Sequence, residues 1–344
     1  MSRLAELIEE LCPDGVEYRP LGEIADLQRG SGMPKKLFID EGIPAIHYGH
    51  IFTKYGIHTK CAAAYLAPED ADKLTRVYPG DLVVANTSEN LEDVGKGVVW
   101  LGDVEGVTGG HATVVRSLAV DTVFLSYYLR TEDFALIKRK YAQGTKVIEL
   151  SAANLSKIDI PLPPLEVQRE IVRILDQFTT LEAELEAELE ARRAQYEHYR
   201  NHLLSYESLA ARGPVEMVKL GDIASIQRGR RFTLDQLGGA GCPAIHYGQI
   251  YTHYGVSTTS VLSYIEESFS SSLRFALQGD VIVAAVGETV EDVGIGVAWL
   301  GADAVAYHDD SFALHHEQDP RYLSYWLRSD EYHRQKRSFV ALQS

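Results

Sequence analysis

Apolar residues between Pro161 and Leu209 recur at the spacing of a coiled-coil helix. They fall at Val167, Ile171, Ile174, Phe178, Leu181 and Leu185, alternately four and three residues apart. This is a heptad seam, narrower than the stripe of a helix packed on a globular core. Leu189 follows after four residues instead of three, a stutter that locally unwinds a supercoil, and the seam resumes at Tyr196, Tyr199 and Leu203. The other faces are charged, with glutamates at 182, 184, 186, 188 and 190. Pro161-Leu162-Pro163-Pro164 and the acids Glu166 and Glu170 suit a first helical turn, and Gly213-Pro214 marks the far end. The pattern predicts a helix over 161–209, of which about 45 residues at ~1.5 Å each make a rod roughly 65 Å long. A seam this narrow calls for a partner helix; the alternative is one long surface helix of a globular domain.

The pattern differs on either side of this rod. Leu4, Leu7, Ile8 and Leu11 share one helical face within residues 1–20 and are stopped by Cys12-Pro13-Asp14-Gly15, giving a short amphipathic helix that offers the rod a further contact. Short apolar runs between Gly and Asp predict strands at 81–85, 97–101 and 112–116, and again at 280–284, 296–300 and 311–315. An amphipathic helix follows each set, opened by Asp121 or by Asp319-Pro320.

The two sets are copies. Leu21-Gly22-Glu23-Ile24-Ala25 recurs as Leu220-Gly221-Asp222-Ile223-Ala224, an offset of 199. At the same offset Gln28-Arg29-Gly30 matches Gln227-Arg228-Gly229, and PAIHYG occurs at both 44–49 and 243–248. Gly80-Asp81, Glu92-Asp93-Val94-Gly95 and Trp100-Leu101-Gly102 recur likewise, whereas Leu125-Ser126-Tyr127 and Lys138-Arg139 recur at an offset of 198. The expected fold class is α+β: two similar mixed α/β domains, 21–160 and 216–344, joined by a long coiled-coil helix over 161–209.

Composition adds bounds. A length of 344 residues with 45% hydrophobic content fits two or three domains with real cores. The three cysteines, Cys12, Cys61 and Cys242, are scattered and odd in number, so neither a disulfide framework nor a metal site is expected. No apolar run approaches a membrane span, and the acidic, amphipathic N-terminus is unlike a signal peptide, which fits a cytoplasmic protein without a membrane partner. The net charge of −16 argues mildly against nucleic-acid binding, because no segment is basic overall. Where the bases sit changes that view.

Catalytic signatures are lacking. The sequence holds no phosphate-binding G-x-x-x-x-G-K-[ST] loop, no G-x-G-x-x-G between strand and helix, and no methyltransferase motif, so no catalytic residue is expected. The basic residues instead cluster at equivalent places in both copies. Arg29, Lys35 and Lys36 are mirrored by Arg228, Arg230 and Arg231; Lys138, Arg139, Lys140 and Lys146 are mirrored by Arg334, Lys336 and Arg337. Beside them lie Gln28, Glu89, Asn90, Gln143 and Gln227, side chains suited to base edges. Arg and Lys grip phosphates, while Gln, Asn and Arg in a groove read bases. For Lys138 to Lys140 the competing reading is a set of bases offsetting a helix dipole. In PAIHYG, the identity of His47 and His246 in both copies favours a backbone contact or a fold-holding hydrogen bond over base readout. Tyr48 and Tyr247 are the stronger candidates for touching DNA. His111, replaced by Asp310 in the second copy, reads as a local feature.

With these residues in view, the chain resembles the specificity (S) subunit of prokaryotic type I restriction–modification enzymes. The stretches that carry the resemblance are LCPDGVEYRPLGEIADLQRG, PAIHYGHIFTKYG, TSENLEDVGKGVVWLG, the VTGGHA segment, and the run from QGTKVIELSAANLSKIDIPLPP through the rod. The resemblance implies two target-recognition domains reading the halves of a split double-stranded DNA site, and a long helix that acts as a ruler and docks methyltransferase (M) subunits. It implies a restriction (R) subunit as a further partner, with S-adenosylmethionine and ATP bound by those partners and no cofactor here. A complete member has head, rod, head, rod, and this chain ends after the second head. Its seam is therefore expected to pair with the same seam of a second chain, as a homodimer, or with a helix from a separate partner. The alternative function is a truncated scaffold or inhibitor that binds M subunits without recognising sequence.

Overall fold

The computed structural model describes residues 2–117, 119–238 and 240–340. The other positions of the predicted domains 1–20, 21–160 and 216–344 lie outside the described residues. The chain divides into two compact units, Met1–Leu185 and Glu186–Ser344, and the division falls inside the long helix.

The first unit is built on a five-stranded sheet. Its strands run in the order Ala25–Arg29, Ala112–Ser117, Leu82–Ala85, Gly97–Trp100, His58–Thr59, antiparallel except for the last pair. The run Leu82-Val83-Val84-Ala85 is apolar throughout because both faces of the sheet are covered. Leu82 and Val84 pack with Leu125 and Leu129 on one side, while Val83 and Ala85 pack with Ile46 and Ile51 on the other. Helix Thr122–Tyr128 begins at Asp121, whose carboxylate accepts from Val123 N and Phe124 N, and helix Glu132–Lys138 begins at Thr131 in the same way. A second, four-stranded sheet holds Tyr65–Leu66, Ile43–Ile46, Gly106–Thr108 and Thr75–Val77.

The second unit repeats this plan. Ala224–Arg228, Ser311–His316, Val281–Ala284, Gly296–Trp299 and Ser257–Thr258 form its five-stranded sheet in the same order. Val281 and Val283 pack with Leu323 and Leu327; Ile282 and Ala284 pack with Ile245 and Ile250. All six predicted strands form, each within one residue of its expected limits. The change of offset from 199 to 198 falls in the loop between the last sheet strand and the helix that follows it, where a missing residue disturbs no ladder.

Each recurring word has a mechanical role. Asp81 and Asp280 accept from Tyr78 N and Leu277 N to close the turn into the central strand, after Gly80 and Gly279 at φ +95° and +97°. Trp100 and Trp299 donate Nε1–H to Val104 O and Asp303 O, each at 2.8 Å, and their rings lie on Gly102 and Gly301. Ser126 and Ser324 donate to Ile57 O and Val256 O and to Gly97 O and Gly296 O, pinning the helix to the sheet.

The rod is shorter than the sequence pattern suggests. The helix spans Leu165–Leu204, 40 residues, or about 60 Å. Asp159–Pro161 is instead a strand paired with Tyr18–Pro20, which ties residues 18–20 to the first unit, and Ser205 caps a separate helix Tyr206–Ala210. Two residues expected in the pairing seam are occupied by the chain's own first domain: Val167 is buried and Ile171 packs on the first core. Ile174 is half-buried, while Phe178, Leu181, Leu185, Leu189, Tyr196, Tyr199 and Leu203 are exposed, Phe178 at 66%.

The two α/β heads differ in what covers one face. In the first, Leu21 N and Gly22 N donate to Ile158 O and Ser156 O, both at 2.9 Å, and Ile148–Glu149 pairs with Thr87–Ser88. A Cβ on Gly22 would meet Ser156 Cβ at 2.9 Å, whereas the matching Gly221 has nothing within 4 Å. Phe124, 7% exposed, corresponds to Tyr322 at 45%; Thr87, 7% exposed, corresponds to Val286 at 45%.

Candidate nucleic-acid interface

In the first head, side chains from separate parts of the chain meet at the end of strand Ala25–Arg29. Arg29 donates Nε–H to Gly110 O at 3.2 Å and Nη2–H to Glu149 Oε1 at 3.0 Å. Glu149 and Gln143 exchange backbone hydrogen bonds, closing a small hairpin that exposes Lys146. His111 lies 3.0 Å from Thr87 Oγ1 through Nδ1, and its ring sits 5.0 Å from that of Tyr48. Beyond Tyr48 come His47, Phe38 and the turn Lys35–Leu37, whose lysines are exposed. Arg29, Gln143 and Tyr48 thus belong to one linked surface.

Not all candidates join it. Gln28 precedes Arg29 on the same strand and so faces the other side, lining a hollow of about 510 Å³ with Lys73, Arg76, Tyr78 and Arg116. Asn90 is spent on its own turn: its amide donates to Asp93 Oδ2 at 2.8 Å and its Oδ1 accepts from Asp93 N. Glu89 stays exposed beside it.

Lys138 and Lys336 correct the sequence reading. Both are buried, and Lys138 Nζ donates to Glu92 O at 2.9 Å and Val94 O at 2.8 Å. Lys336 Nζ meets Glu291 O and Val293 O in the same way. An ammonium turned into the protein cannot reach a phosphate, so these lysines brace the Glu-Asp-Val-Gly loop from the helix. Burial draws both down to about 8. Their neighbours Arg139, Lys140, Arg334 and Arg337 are exposed, with Arg334 against Glu331 and Arg337 3.7 Å from Glu291.

His47 and His246 hold the fold. Each caps the helix that follows, Tyr48–Thr53 or Tyr247–Thr252, its Nδ1 accepting from Gly49 N at 3.1 Å or Gly248 N at 3.3 Å. Burial, aided by His50, Lys35 and His111 nearby, pulls His47 down to about 4, so its ring is neutral near pH 7. Burial lowers His246 too.

In the second head, Arg228 donates Nε–H to Asp309 O at 2.6 Å and lies 3.5 Å from Asp310 Oδ1. His308 is packed between Phe232, His246 and Tyr247. Gln227 accepts from the Tyr307 hydroxyl at 3.1 Å, and Arg230 and Arg231 are exposed. Sequence reasoning gave no role to Glu149, Thr87 or Asp309 singly, set Asp310 opposite His111, and took His111 for a local feature. The signal that singles out 109–111 and 308–310 is their unlikeness inside a matching framework.

Comparison with known proteins accords with this plan. The family model for the type I restriction modification DNA specificity domain matches residues 13–191, just over half of the chain. A putative type I restriction enzyme specificity subunit of Haemophilus influenzae is 26% identical over 283 residues, covering 79% of this chain and 66% of that protein. The EcoR124I/EcoR124II specificity subunit of Escherichia coli is 41% identical over 106 residues, 29% of this chain and 24% of its own length. The match thus spans just under two thirds of the first relative and a quarter of the second. Among solved structures, the type I restriction–modification S subunit of M. genitalium aligns with a TM-score of 0.50 at 16% identity, covering 94% of this chain and 80% of that one. A chain from a structure addressing complex assembly and conformational transition of the type I R-M system aligns at 0.55 and 20% identity, covering 96% and 83%. These structural likenesses show the fold. On the family match, the chain belongs to the type I restriction modification DNA specificity domain family.

Proposed function

We propose that this chain is the DNA-sequence-recognition subunit of a type I restriction–modification complex. Each head reads one half of a bipartite double-stranded site, and methylation and cleavage reside in methyltransferase and restriction partners. One observation carries the reading: the recurring words hold the fold, while the loops that differ gather beside Arg29 in one head and Arg228 in the other. The exposed set Arg29, Lys35, Lys36, Arg139, Lys140, Gln143 and Lys146, with the half-buried Tyr48 among them, is the proposed DNA face of the first head. Arg228, Arg230, Arg231, Tyr247, Arg334 and Arg337 supply that of the second. The test is methylation mapping in cells expressing the chain with its methyltransferase subunits. A bipartite motif is expected, and exchanging residues 21–150 for those of a relative should change one half only; a change in both halves counts against two independent readers.

The exposed seam from Phe178 to Leu203 and the bare face around Leu220, Gly221 and Tyr322 favour a helical mate, either a second copy or a methyltransferase subunit. The same seam supports a second reading, a scaffold that holds methyltransferase subunits without selecting sequence. Mobility-shift titration with those subunits present separates the two, because only a recognition subunit yields sequence-selective shifts.

A further inference from the structure

The two heads hold one turn identically and furnish it differently. Arg29 Nε donates to Gly110 O, and Arg228 Nε to Asp309 O, in each case 81 positions along the chain. Gly30 and Gly229 let the strand end lie against this turn. A Cβ there would stand 2.1 Å from Gly109 O or 2.0 Å from His308 O, closer than any side chain permits. The strand behind the turn then starts in the same register, at Ala112 and at Ser311. Between these fixed points the side chains share nothing: Gly109-Gly110-His111 stands where the other head has His308-Asp309-Asp310.

The histidine moves within the turn, yet its ring contact stays. Tyr48 faces His111 at 5.0 Å and Tyr247 faces His308 at 5.4 Å, so the imidazole comes from the third position in one head and the first in the other. That exchange frees the third position of the second turn for a carboxylate. Asp310 N donates to His308 Nδ1 at 3.1 Å, and Asp309 turns its buried Oδ1 to within 3.2 Å of the same ring nitrogen, while both carboxylate side chains stay about a third exposed.

Resting on the reading above, we propose that His111 in the first head, and Asp309 and Asp310 in the second, are specificity-determining residues, with Arg29 and Arg228 as the positioning residues that hold their turns. Carboxylates are repelled by phosphates, so a turn bearing two of them in a DNA-facing surface is unsuited to gripping a strand. Over a major groove the same groups accept from an exocyclic amine, that of cytosine foremost. The second head therefore selects an amine-bearing base edge at the pair beneath this turn. The first head presents an exposed imidazole and selects differently.

The experiment is methylation of a randomised-site library by the full chain with its methyltransferase subunits, comparing wild type with Asp309→Asn, Asp310→Asn, His111→Gln and Arg228→Lys. Asn and Gln keep shape while altering which hydrogen bonds are offered. The two Asp variants should lose about tenfold or more of the discrimination at one or two adjacent pairs of one half-site and leave the other unchanged. His111→Gln should do the reverse. Arg228→Lys keeps the charge but loses the Nε bond to Asp309 O, so it should relax the same pairs as the Asp variants; a phosphate-gripping role would leave the preference untouched. If wild type is selective and all four variants keep its preferences, the proposal is overturned and the reading of the chain as a recognition subunit stands. If wild type itself shows no sequence preference, both are overturned.

Discussion

His47 shows what position does to a residue's chemistry. Its Nδ1 is committed as acceptor to Gly49 N, so protonation removes the cap of helix Tyr48–Thr53. Its ring titrates near 4 in the folded chain against an ordinary 6.5, so the unfolded state binds more protons between those values. Stability from this residue is full above about pH 6.5 and is lost as pH falls toward 4, on the order of 3 kcal/mol. Denaturant midpoints measured from pH 7.5 to 4.5 should show this loss in wild type and a flatter curve in His47→Asn, which caps without titrating. A steeper curve in the variant would contradict the assignment. Lys138 makes the complementary case. Lys138→Met removes both donors to Glu92 O and Val94 O and leaves buried carbonyls unsatisfied, at a cost of about 1–3 kcal/mol. It should lower the melting temperature and speed amide exchange in residues 89–95; loss of DNA affinity at unchanged stability would restore it as a phosphate contact.

At the scale of elements, the heptad pattern correctly located a long helix but did not say which of its residues were already in use. Val167 and Ile171 look like seam residues yet sit against the first core, because the helix begins beside strand Asp159–Pro161 and helix Thr122–Tyr128. Gln168 fixes that start, accepting from Asp121 N at 2.8 Å and donating to Pro163 O. The exposed leucines further on are the testable part. Replacing Leu181 and Leu185 together by Glu should leave the melting temperature of the chain nearly unchanged, since both are already solvated. If a helical mate binds this face, the change should weaken that association at least tenfold, because burying each leucine is worth about 2 kcal/mol. A thermal melt of the chain checks the first outcome, and sedimentation velocity of the chain, alone and with methyltransferase subunits, checks the second.

For the whole molecule, the duplication is the organising fact, and its prediction concerns spacing. Deleting one heptad, residues 182–188, shortens the helix by about 10 Å. If the helix is a ruler, the spacer between half-sites should change by about three base pairs at ~3.4 Å each, with both half-site sequences intact. Methylation mapping reads this directly, and an unchanged spacer would end the ruler idea. The duplication also supplies an internal control for reading residues. Where both heads use the same word, the structure shows a cap, a turn or a pinned helix; where they differ, it shows the surface beside Arg29 or Arg228.

Repetition and periodicity are properties of the linear order, so the two mixed α/β units, their strands and the long helix were legible without coordinates. Each depends on spacings of a few residues or on a fixed offset, and local hydrogen bonding enforces both. The roles of single polar residues were not legible in the same way. Lys138 meets carbonyls 44 and 46 positions back, and Arg29 meets one 81 positions ahead. Whether such a group brace a loop or face solvent is settled by long-range strand pairing, which sets the direction of every side chain on the sheet and leaves no trace in the residue's immediate neighbours.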